Sequence, residues 1–119
     1  MNYFPLKSGD TRPILEARLR NPDESVHDLT GATGVTLHVE LPDGTVFSRP
    51  MEIVLPETSG LVRYVWTAAD WAGAPPALPT LLGRGKIDLP MEYEVVGGSS
   101  TLTFPNWGTD TLRIVGAIA

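Results

Sequence analysis

Three features of the sequence predict an all-β chain of about seven to nine short antiparallel strands. Twelve glycines and eleven prolines fall among 119 residues, spread between segments and not gathered in one block. Breakers at such intervals punctuate strands. Between them, apolar residues alternate with polar ones, the period of a half-buried strand. No segment of helix length carries an apolar stripe at 3.6 residues per turn.

The length suits one domain with one core. A hydrophobic fraction of 42% belongs to a globular protein and not a disordered one. Nine Lys and Arg against fourteen Asp and Glu give a net charge of −5. The basic residues are scattered among acids, which argues against a phosphate-tracking surface, so no nucleic-acid partner is expected. With no cysteine, disulfides, thiolate metal sites and cysteine nucleophiles are excluded. No apolar run reaches the roughly 20 residues that span a bilayer. Met1–Lys7 lacks the basic-then-apolar layout of a signal peptide. The expectation is a soluble protein made in the cytoplasm, without a membrane partner.

Taken in order, Met1–Ser8 reads as an N-terminal arm, interrupted by Pro5, and residues 9–119 as the single domain. Folded back, the arm is an edge segment of its own domain; extended, it docks on a neighbour. A first strand starts near Pro13, with Leu15, Ala17 and Leu19 on one face and Glu16, Arg18 and Arg20 on the other. Asn21-Pro22-Asp23-Glu24 is turn chemistry. Val35, Leu37, Val39 and Leu41 alternate with Thr36, His38 and Glu40. Pro42-Asp43-Gly44 then predicts a hairpin whose return strand is Thr45–Ser48, extended by Met51–Leu55 after an interruption at Arg49-Pro50.

Leu61–Thr67 carries Val62, Tyr64 and Trp66 on one face and Leu61, Arg63 and Val65 on the other. Being apolar on most of both faces, it predicts a central strand. Thr67–Ala72 reads as one helical turn. Gly73–Arg84, with Ala74-Pro75-Pro76-Ala77-Leu78-Pro79, predicts an exposed polyproline-like loop. Ile87, Leu89, Met91, Tyr93 and Val95 mark the clearest strand, with Pro90 signalling an edge or bulge. Gly97-Gly98-Ser99-Ser100 turns it into Thr101–Phe104. After Pro105-Asn106-Trp107-Gly108 the last strand, Thr109–Ile118, places Leu112, Ile114 and Ile118 on one face. The architecture that follows is a two-sheet sandwich of the immunoglobulin type, with a small barrel as the alternative.

Candidate chemistry is sparse. His27 and His38 have no third ligand in view, and Asp23, Glu24 and Asp28 lack calcium-loop spacing. Glu92 and Glu94 share a strand face at about 6–7 Å, which invites a carboxylate-pair reading but is also the ordinary wet side of a sheet. Gly83-Arg84-Gly85-Lys86 lacks phosphate-loop spacing. No catalytic residue, metal or cofactor is expected, and an enzyme is not. Trp66 reads as core. Trp71 and Trp107 lie in predicted loops, where they cover the ends of the sandwich, anchor an interface or stack on sugar rings.

Several strings together resemble a known family. Lys7-Ser8-Gly9-Asp10-Thr11-Arg12-Pro13 with Leu15, then Val26-His27-Asp28-Leu29-Thr30-Gly31-Ala32, resembles the N-terminal domain of the tailed-phage baseplate upper protein, an immunoglobulin-like domain of virion proteins. Gly60-Leu61-Val62-Arg63-Tyr64-Val65-Trp66 followed by Asp70 is similar to that family's glycine–valine–tyrosine–tryptophan–aspartate segment. Met91–Val95 with Thr103-Phe104-Pro105-Asn106 is similar to its C-terminal hairpin. The likeness runs from about Lys7 to Ile114. Gly73–Arg84 departs from it, being longer and richer in proline.

The resemblance implies a non-enzymatic structural protein of a tailed-phage virion, made in the host cytoplasm. It would sit in the tail, baseplate, neck or capsid-associated region and dock on other virion proteins in symmetric multi-copy assembly. The residues expected at contacts are Tyr3, Phe4 and Leu6 in the arm, Trp71, Pro75, Pro76 and Leu78 around the proline-rich loop, and Trp107. A carbohydrate-binding module serving host recognition is the alternative, motivated by the loop tryptophans.

Overall fold

In a computed structural model, residues 3–12, 14–72, 76–79, 85–98, 100–105 and 109–116 are described. The fold is all-β and sandwich-like, curled toward a barrel. Its strands are β1 (Tyr3–Lys7), β2 (Leu15–Arg18), β3 (Gly34–Glu40), β4 (Val46–Ile53), β5 (Leu61–Tyr64), β6 (Lys86–Gly97), β7 (Ser100–Phe104) and β8 (Asp110–Val115). One short helix, α1 (Ala68–Ala72), follows β5. The strands pair in the order β1-β8-β6-β3-β4-β5-β2, with β7 on β6.

Alternation builds the core as the sequence predicts. Leu37, Val39, Phe47, Val62, Leu112 and Ile114 are fully buried from four different strands, with Trp66 beside them. β4 turns the corner between the layers. It pairs with β3 through Met51 and with β5 at Glu52 and Ile53, so one strand serves both sheets. Asp43 accepts from Thr45 N–H (3.0 Å) at the predicted hairpin, and Asp23 and Asp28 repeat this two-residue reach to Ser25 and Thr30. The hydrogen bonds from Ser25, Thr30 and Thr45 hold all three carboxyls below their usual range.

The structure decides one expectation and corrects three. Of the two readings of the arm, Tyr3–Lys7 takes the folded-back one and does not extend to a neighbour: it pairs in parallel with β8, residue by residue from Tyr3–Thr111 to Lys7–Val115, and Leu6 is 1% exposed. The chain is not interrupted at Arg49-Pro50, because β4 runs through both. The segment after Tyr64 leaves the ladder, and its second face is not buried; Val65 is half-exposed. The proline-rich segment is not an exposed loop at Leu78, which is buried and donates its N–H to Asp70 O (2.8 Å).

The prolines explain the first two of these. Each sits within a strand but turns its nitrogen toward a side without a partner. Ser8 N–H donates to Val115 O (2.7 Å); by alternation Phe4 and Leu6 bond to β8, and Pro5 faces the free edge. Leu41 N–H donates to Thr45 O (2.8 Å), so Pro50 faces away from β3, on a stretch that β5 does not reach. Gly116 N–H donates to Gly85 O (2.7 Å), so Pro90 faces away from β8. Its other flank is a local edge, because the pairing with β3 starts only at Met91. A missing donor costs little where no acceptor waits for it.

Candidate functional site

β1 and β2 are the two ends of the strand path, and among the described residues each pairs on one side only. Leu19 N–H donates to Gly60 O (2.8 Å). The antiparallel alternation then assigns Leu15 and Ala17 to the ladder with β5 and leaves the N–H and C=O of Glu16 and Arg18 facing outward. On β1 the outward groups belong to Tyr3, Pro5 and Lys7.

Between these ends lies a groove of about 1030 Å³. Tyr3 and Phe4 line it from β1, residues 15–20 from β2, and Met91, Tyr93, Phe104 and Asp110 from the large sheet. Tyr93 is nearly buried, and Asp110 faces its hydroxyl. Burial first, then the charge and hydrogen bond of Asp110, push the Tyr93 phenol well above its ordinary value. The groove is thus mixed: aromatic and apolar on the side of the large sheet, with charged and polar side chains such as Glu16, Arg18, Arg20 and Glu24 along the other wall.

A second cluster closes the far end of the core. Asp70 is 1% exposed and accepts from Arg49 Nε (2.9 Å), Tyr64 Oη (2.7 Å) and Thr67 N–H (2.9 Å). Arg49 also lies over the Phe47 ring, 4.2 Å from its centroid, and Tyr64 meets Trp66 edge-on at 5.1 Å. Burial, then the Asp70 hydrogen bond, raises the Tyr64 phenol. Both carboxylate oxygens of Asp70 serve internal donors, so the cluster is a lock inside the domain. Tyr64, Trp66 and Asp70 are also the spaced residues of the tyrosine–tryptophan–aspartate segment.

On the outward face of the large sheet, His38 Nδ1 lies 2.7 Å from Ser48 Oγ and Nε2 lies 3.2 Å from Glu94 Oε1. Hydroxyl, imidazole and carboxylate stand in line across β4, β3 and β6. The row crosses an open sheet face away from the groove, with no cleft residue lining both. It cross-links three strands. His27 is elsewhere, tilted against Phe104 at 4.9 Å and bound to Asn21 Oδ1 (2.8 Å). Among the described residues no three His, Cys, Asp or Glu side chains converge as metal ligands, and no helix is long and apolar enough to cross a membrane.

The residues expected at contacts divide. Tyr3 and Phe4 reach the groove. Leu6, Trp71 and Leu78 are buried inside the domain, which removes them from an exposed contact surface. Trp71 belongs to α1 and donates Nε1–H to Asp10 O (2.9 Å), tying the helix to the segment after β1. Pro76 is half-buried; Pro75 and Trp107 lie outside the described residues. The sequence reading missed the outer edge of β2 and the Arg49–Asp70 pair. Only the spacing from Tyr64 to Asp70 signalled the second.

The fold and groove together define an all-β domain with an open seam. No family model, curated protein or solved structure matches the chain.

Proposed function

We propose that this domain is a non-enzymatic structural component of a tailed-phage virion, in the tail, baseplate, neck or capsid-associated region, which docks onto neighbouring virion proteins in several symmetric copies. The observation that carries the docking is the groove of about 1030 Å³ between two strand ends that each lack a second partner. Unpaired edges beside apolar side chains are surfaces that neighbouring chains cover. The virion setting rests on the resemblance of three ordered segments. The cluster at Asp70 supports that reading by giving the central segment a common structural purpose. The carbohydrate-binding alternative loses one of its two indoles, since Trp71 is buried.

The test is quantitative mass spectrometry of purified particles from the phage that encodes the chain. The expected result is the chain at a fixed, symmetry-related copy number per particle. Recovery only from the particle-free lysate overturns the proposal.

A further inference from the structure

We infer that the groove accepts one extended segment of another polypeptide, which pairs with the outer edge of β2 and fills the seam between β2 and β1. The inference rests on the docking reading and names the partner's chemistry: an extended strand with apolar residues at alternate positions.

Three observations converge on a strand as the occupant. The first is hydrogen bonding. Glu16 and Arg18 turn their N–H and C=O groups away from β5, which offers an added strand two donors and two acceptors at the spacing of a ladder. The second is size. Residues 15–20 of the groove wall span about 20 Å when extended, and about 1030 Å³ along that wall is room for at least one strand, which in a sheet fills about 4.8 Å by about 10 Å.

The third is polarity. The groove lines the inward side of such a strand with half-buried Phe4 and with the edges of Met91, Tyr93 and Phe104, each at most 3% exposed, while Glu16 and Arg18 carry exposed side chains on the outward side. A strand with apolar residues inward and polar residues outward fits both. Neither edge alone makes such a site. The juxtaposition of a free β2 edge with an aromatic floor does.

Direction follows from the topology. Passing along the path, every neighbouring pair is antiparallel except β1 with β8, so β1 and β2 run in opposite senses. An added strand is therefore antiparallel to one and parallel to the other. Pro5 removes a donor from the β1 edge, whereas the β2 edge keeps all of its donors. The strand runs antiparallel to β2, and β1 serves as its apolar flank.

The probe is a blocked heptapeptide, acetyl-Lys-Val-Thr-Val-Thr-Val-Lys-amide, titrated into the isolated domain with amide exchange read by NMR. Saturable binding is expected, with the Glu16 and Arg18 amides slowing in exchange at least about tenfold while Leu15 and Ala17, already in the ladder, change little. The same peptide N-methylated at alternate residues should bind at least about tenfold more weakly. Glu16→Pro should do likewise without unfolding the domain, since that nitrogen bonds to nothing within it.

No saturation up to about 1 mM, or binding that survives both N-methylation and Glu16→Pro, overturns the inference. So does a wild-type dimer in sedimentation that Glu16→Pro dissolves, which would make a second copy the occupant. If Glu16→Pro unfolds, the N-methylated peptide still decides. A chain present in virions that fails these tests loses strand addition and keeps docking. A chain absent from virions that passes them keeps the groove and loses the virion.

Discussion

Asp70→Ala should be among the most damaging single substitutions in this domain. The carboxylate is 1% exposed and holds Arg49, whose side chain is 30% exposed. Removing one partner of a buried pair costs about 3–5 kcal/mol, because the other charge stays behind uncompensated. The partial exposure of Arg49 lowers that term toward about 3 kcal/mol, since water reaches the guanidinium. Tyr64 Oη and Thr67 N–H lose their acceptor as well, at about 1–3 kcal/mol for each group left unsatisfied. The terms overlap and do not add fully; about 4 kcal/mol is the expected loss, out of a total of about 5–15 kcal/mol for a domain.

Urea unfolding followed by tryptophan fluorescence measures it, with a fall in melting temperature of roughly 10–20 °C as the thermal counterpart. Asp70→Asn keeps the shape and one acceptor and should cost about half as much. Tyr64→Phe, which removes one donor and leaves two, should cost about 1–2 kcal/mol. A loss below about 1 kcal/mol for Asp70→Ala, with an unchanged denaturant slope, would refute the assignment of Asp70 as the lock of this end of the core.

Two glycines with similar backbone angles should separate strain from crowding. Gly44 (φ 88°) has open space around a built Cβ, whereas one on Gly60 (φ 65°) would lie 2.6 Å from Val26 Cγ1 and 2.7 Å from His27 O; Gly44→Ala should cost about 1–2 kcal/mol, Gly60→Ala clearly more, and equal values in urea would contradict the packing. Leu37→Ala, at a fully buried site of the central strand, should cost about 2–5 kcal/mol by the same assay. Deleting residues 1–7 should destabilise the isolated domain and not merely release an arm, because Leu6 goes with them; a truncated domain of unchanged melting temperature would contradict this. The raised Tyr64 and Tyr93 phenols work in a stated direction: the unfolded chain ionises first, near pH 10, so stability is full below that pH and falls as pH rises above it. Denaturant unfolding from pH 8 to 11, alongside phenolate absorbance, checks it.

Most strands were legible because their faces differ. Val35–Leu41 and Ile87–Val95 alternate cleanly, and Pro42-Asp43-Gly44 fixes the turn between β3 and β4. What misled the sequence reading was proline. Composition marks Pro5 and Pro50 as breaks, but whether a nitrogen faces a partner depends on register, which only pairing reveals; Pro90, read as an edge or bulge, does lie on a local edge. Trp71 misled for a related reason: its neighbours are loop-formers, and the bond to Asp10 O spans 61 residues. The groove had no local signature at all. Its walls come from residues about 90 apart in sequence, and its defining property is the strand that is not beside β2.

The placement of β1 has a consequence for synthesis. Leu6 is made more than 100 residues before its ladder partner Ile114. At about 5–20 residues per second, the first strand waits several seconds or more on the ribosome with Phe4 and Leu6 unpaired. β2 through β6 can meanwhile assemble among themselves. The domain therefore completes its fold only when β8 emerges, and a stalled chain lacking β8 should expose Tyr3–Lys7 to proteases even while β3 and β4 are already protected.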